Sequence, residues 1–124
     1  MLDKVQANPN LVVALKEKGF TSAEQAQSRR TARVQGRSIR IGDVVLFSDG
    51  GDTLVGEIYW FASVDSELVV GISAWPLKKD CGRYRKVRVE ENLSIIPSAR
   101  LLQAMIFTPT EVGKIATVIC PAFY

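Results

Sequence analysis

The 124-residue sequence predicts a mainly β fold, a distorted and partly closed β-barrel of about six strands with an N-terminal helical appendage. Three observations predict it. Residues 39–76 read as three consecutive apolar strands parted by polar turns. Gly56 and Gly71 fall inside two of those strands, where glycine marks a bulge or a barrel corner. Helix-type punctuation is confined to residues before about 35 and gives way to β patterning after Arg40. The division is therefore a helical appendage over residues 1–35 and a β-barrel binding module over 39–124.

The appendage reads as two short helices. Asn8 is a natural N-cap and Pro9 suits the first helical position, where a missing N–H costs nothing. Leu11, Val12 and Leu15 form an apolar stripe, and Gly19 is a left-handed stop. Thr21-Ser22-Ala23-Glu24 matches a capping box, which predicts a second, polar helix to about Arg30. Residues 31–40 read as a connector.

Ile41 and Val44 to Phe47 make the first strand, and Ser48 to Asp52 supplies turn residues tolerant of positive φ. Thr53 to Ala62 is the second strand and Glu67 to Trp75 the third, apolar almost throughout. Pro76 to Lys86 reads as a loop, followed by a short half-exposed strand at Val87 and Val89. Ser94 to Pro97 and Lys114 to Cys120 complete the strands, with Leu101 to Phe107 read as a strand after a turn in preference to a short helix.

A chain of this size buries roughly two thirds of its unfolded surface, so no metal or disulfide staple is required. It has two cysteines and no histidine. That composition fits a reducing compartment and excludes Ser-His-Asp and Cys-His chemistry and structural zinc. The acidic residues fall mostly in turns, so no carboxylate pair for hydrolysis stands out. The expectation is a protein without enzymatic activity, cofactor or metal. No apolar run reaches membrane-spanning length, and the start is too polar for a signal peptide, so an intracellular setting without membrane contact is expected.

The net charge of +3 is unevenly placed. Residues 1–41 hold eight Lys/Arg against three Asp/Glu, and residues 42–124 hold eight against ten. Five arginines, Arg29, Arg30, Arg33, Arg37 and Arg40, fall within twelve residues. Residues 78–88 add Lys78, Lys79, Arg83, Arg85, Lys86 and Arg88 against Asp80 alone. Two readings stand: solvated charge, or a basic arm and loop acting together on the phosphates of DNA or RNA. Tyr59, Trp75 and Tyr84 are candidate walls of an aromatic pocket at the barrel rim, with Glu57 adding a carboxylate; such walls attract ammonium groups by cation–π interaction. The alternative is that the aromatics fill the core. Cys81, beside Lys79 and Arg83, reads as incidental.

The pieces Ile41-Gly42-Asp43-Val44-Val45, Val55-Gly56-Glu57-Ile58-Tyr59-Trp60, Val70 to Trp75-Pro76 and Ile95-Ile96-Pro97, in this order, resemble a bromo-adjacent homology (BAH) domain over about residues 39–119. The match is in the order of short motifs. A longer Arg-Pro-acidic stretch after the Trp strand is missing, and Val112-Gly113-Lys114 only partly echoes the family's closing segment. The resemblance implies a nuclear, chromatin-type interaction module. Its partners would be a chromatin protein or histone peptide, and Tyr59 and Trp75 match positions of a methyl-lysine cage. A Tudor- or SH3-like barrel accounts for the strand order nearly as well. Oligomeric state is left open.

Overall fold

The computed structural model describes residues 3–4, 13, 15–20, 26–34, 36–108 and 110–119. The fold is mainly β. Among the described residues thirteen strands form sheets of seven, four and two strands. The strands are β1 (Asp3–Lys4), β2 (Gln27–Arg29), β3 (Thr31–Val34), β4 (Arg37–Arg40), β5 (Val44–Asp49), β6 (Asp52–Val64) and β7 (Glu67–Trp75). They continue as β8 (Leu77–Asp80), β9 (Tyr84–Arg88), β10 (Leu93–Pro97), β11 (Leu101–Ala104), β12 (Ile106–Phe107) and β13 (Ile115–Ile119). No described helix is long and apolar enough to cross a membrane.

The main sheet is built around two tight hairpins. Gly50 and Gly51, at φ 57° and 97°, join β5 to β6, which pair from Val44↔Glu57 to Asp49↔Asp52. Positive φ at both loop residues is what a two-residue hairpin needs to follow the strand twist. Asp65 and Ser66 make the corresponding turn between β6 and β7, also both at positive φ. β10 then pairs with β7, and β11 pairs with β5. The path β10-β7-β6-β5-β11 is open, not a closed barrel, yet its two outermost strands are consecutive in sequence and joined by one 3-10 turn, Ser98–Arg100.

β5 is buried on both faces. Val45 and Phe47 enter a central core with Ile58, Phe61, Val70, Ile72, Ile96 and Leu101. Val44 enters a second core with Val55, Trp75, Val87, Ala116 and Val118, against which Leu46 also packs. Adjacent strand residues point to opposite faces, so this alternation places one layer on each side of β5.

β6 changes sides at a bulge. Ile58 pairs with Ile72 and Trp60 with Gly71, leaving Tyr59 without a cross-strand partner. One extra residue inverts the alternation beyond it. Ile58 and Phe61, three apart, therefore share the central core, while Trp60, Ala62 and Val64 face a third cluster with Leu15, Ala26, Val69 and Ile95. The Trp60 ring lies on Gly71, where a Cβ would fall 2.1 Å from a ring carbon. Only glycine gives the ring that approach.

Several expectations are corrected. The mainly β fold is as expected, and the described strands form three sheets, none of them a closed barrel. Residues 27–29, expected at the end of a polar helix, are strand β2 on the edge of β6. The capping-box signal itself lies outside the described residues. The connector 31–40 is a hairpin, β3–β4, with a turn glycine, Gly36, at φ 79°. Residues 15–17 are helical and Gly19 has the left-handed φ expected of a stop. The expected loop 76–86 is largely two strands, β8 and β9, which join β12 and β13 in the four-stranded sheet β12-β13-β9-β8. Asp80 accepts a hydrogen bond from the Gly82 N–H at 2.9 Å, a side-chain-made turn that reverses the chain there.

Candidate functional site: two basic faces and a polar notch

The four-stranded sheet has one face turned inward and one turned out. Val87, Ala116, Val118 and Phe107 point into the second core. The opposite face follows from the register. Ile106, Ile119 and Tyr84 lie side by side across β12, β13 and β9. Thr117, Lys86 and Lys79 form the next row, and Ile115 with Arg88 the row after that. Ile106 is 58 % exposed, Ile115 47 %, Tyr84 41 % and Ile119 39 %. Lys79, Lys86 and Arg88 are exposed as well. No carboxylate occurs among these residues. Asp80 is paired across the ladder with Arg85 and meets its guanidinium at 4.0 Å. Lys78 sits at a bulge of β8, and Arg83 lies exposed in the turn before β9.

The β3–β4 hairpin carries the other basic face. Thr31 faces Arg40 and Arg33 faces Ser38, and all four are exposed. Ala32 and Ile39, opposite each other on the inner side, are buried in the central core. Arg29 and Arg30, exposed, precede the hairpin, and Arg37 follows its turn. The Arg33 guanidinium donates to the Gly36 carbonyl at 2.7 Å, which steadies that turn. Asp43, the nearest carboxylate in sequence, accepts the Arg40 main-chain N–H at 2.8 Å.

The arm and the loop, expected to act together, pack on opposite faces of β5, the hairpin through the central core and β9 through the second core. One continuous basic surface is not what the packing supports.

The expected aromatic pocket is taken apart. Trp75 is 4 % exposed and packs edge-on against Phe107, ring centroids 6.2 Å apart, so it fills the second core. Tyr84 stands on the outer face of the four-stranded sheet, and its side-chain hydrogen-bonding contact with Cys81 raises its hydroxyl pKa above the ordinary 10.0. Tyr59 and Glu57 do come together, on the face of β6 between the second and third cores. Their centre is Ser73, buried completely and paired with Glu57. The Ser73 hydroxyl donates to the Glu90 carbonyl and accepts the Asn92 N–H at 2.8 Å, which clamps residues 90–92 over the sheet. Burial raises the Glu57 carboxyl above the usual 4.5, and the Glu91 charge adds to the rise. Burial also raises the Tyr59 hydroxyl; Ser73 acts the other way, and Glu57 and Glu91 add to the rise.

Glu91 was not legible as a partner of Glu57, because only the Ser73 clamp brings it there. The outer-face isoleucines were also missed: each reads as an ordinary strand residue until the register shows which side it faces. Among the described residues no group of three His, Cys, Asp or Glu gathers to hold a metal ion. No protein-family model matches this chain, and no curated protein sequence is significantly similar to it.

Proposed function

We propose that the chain is a non-catalytic interaction module that holds a protein segment on the outer face of the β12-β13-β9-β8 sheet. The observation that carries this reading is the in-register row Ile106–Ile119–Tyr84 beside Lys79, Lys86 and Arg88, exposed and free of carboxylates. Exposed aliphatic side chains supply apolar area, and an aromatic with a polar tip is suited to a contact that is half wet. Unbalanced cations select the sign of the partner. The segment is therefore acidic, with aliphatic or aromatic side chains between its carboxylates. A basic histone-type tail suits this face poorly, since like charges would be brought together.

The frame under this reading is the small SH3-like or BAH-like barrel implied by the resemblance. What supports it is the five-strand path with its outermost strands joined by a single 3-10 turn. The four-stranded sheet is then an elaboration of that frame, and it carries the partner.

Selection of displayed random peptides against the whole chain tests the reading. Selected peptides are expected to be rich in Asp, Glu and large apolar residues. Tyr84→Ala and Lys86→Glu, both at exposed positions, are each expected to weaken a selected peptide by about tenfold or more. Enrichment of basic peptides, or binding indifferent to both changes, would overturn it.

A further inference from the structure

The geometry points to a second binding surface: we infer that the outer face of the β3–β4 hairpin docks on duplex DNA. Thr31, Arg33, Ser38 and Arg40 occupy that face, while Ala32 and Ile39 fasten its reverse side to the central core. The side chains are thus presented on a braced platform. Bracing lowers the ordering cost of binding, which a loose arginine-rich arm would carry in full. Diagonal neighbours on an antiparallel pair stand about 7–8 Å apart, so Arg33 and Arg40 reach separate anionic groups instead of crowding one.

The chemistry of the face selects the polyanion. Residues 26–42 contain five arginines and no Asp or Glu. Arginine binds phosphate through a forked pair of N–H donors, and Ser and Thr hydroxyls add contacts to phosphate or base edges. The four outer side chains are all polar, which disfavours insertion into a lipid surface. None is aromatic, so the platform has nothing on which an unpaired base would stack. A two-stranded β-ribbon fits the major groove of B-form DNA, whereas the corresponding groove of an RNA duplex is too deep and narrow. Arg29 and Arg30, just before the ribbon, are placed to meet flanking phosphates. This surface lies across β5 from the four-stranded sheet and needs none of its residues.

Fluorescence anisotropy of the whole chain with a labelled mixed-sequence DNA duplex tests the inference. Single-stranded DNA and an RNA duplex of the same length are the comparison arms. Affinity for the DNA duplex is expected to fall with salt at a log–log slope of about −0.9 per phosphate engaged. Arg33→Ala and Arg40→Ala together are expected to reduce that slope by roughly two and to weaken binding about tenfold or more at low salt. Lys79→Glu on the four-stranded sheet is expected to change it little. No binding to the unmodified chain at low salt would overturn the inference, as would binding unaffected by the arginine changes. A single strand or RNA duplex bound more tightly than the DNA duplex would overturn the groove assignment. The slope on the unmodified chain keeps the test independent of any variant's folding.

Discussion

At Glu57 two effects push in one direction. Partial burial and the Glu91 charge both disfavour the carboxylate, so its pKa in the folded chain lies above the ordinary 4.5. Between the unfolded and the raised folded pKa the native state holds more protons than the unfolded one, so stability falls as pH rises through that interval. Well below 4.5 the carboxyl is protonated in both states and the penalty vanishes. Glu57→Gln is therefore expected to stabilise the chain near pH 7 and to lose most of that advantage near pH 4. Urea denaturation of the two proteins at both pH values measures it; an advantage equal at the two values would show that charge is not the cause. Ser73 explains why such a cluster persists. Its hydroxyl satisfies two main-chain groups of residues 90–92, and the acidic pair is brought together as a by-product of that clamp.

Bulge, hairpin and edge decide what each strand does. Gly71 and Trp60 are a matched pair created by the bulge at Tyr59. Gly71→Ala is expected to cost about 1–3 kcal/mol, because a Cβ there meets the indole ring. In a Trp60→Ala background the same change is expected to cost much less; thermal or denaturant unfolding of the four proteins of the cycle measures the coupling, and additive costs would mean that the ring is not the obstacle. The same elements show what was legible in the sequence. β5, β6 and β7 were, because apolar runs and Gly50-Gly51 mark them with the period and turn chemistry of strands. β8 and the first part of β9 were not, since Lys78, Lys79, Arg85 and Lys86 hide a strand under loop-like composition; only the end of β9 at Val87 was read as strand. Asp80 and Gly82 carried the available turn signal. Residues 27–34 were misread because the capping-box pattern Thr21 to Glu24 carried the helical reading on to Arg30, while the alternation Thr31-Ala32-Arg33-Val34 is short. At the candidate site the cations were legible but their grouping was not. Trp75 was a candidate for the rim and for the core, and it fills the core, beneath the sheet that the following charge decorates.

For the molecule as a whole, a body of net charge +3 carries two basic faces on opposite sides of one strand. Under both proposals the protein is a connector: DNA on one side and an acidic segment on the other, held at high effective concentration. A duplex and a selected acidic peptide are then expected to occupy one molecule at once. Peptide affinity measured with and without saturating duplex should agree within about twofold, since no shared residue couples them. Mutual displacement would mean a single anion site. The double burial of β5 has a further consequence for assembly. Val44, Val45, Leu46 and Phe47 are all apolar, so a strand threaded one position out of step would still hide oily groups on both flanks. Hydrophobicity alone does not police that error. Side-chain volume and the tight reversal at Gly50-Gly51 must do so, and a chain that closed this hairpin wrongly would lose both proposed docks in a single mistake.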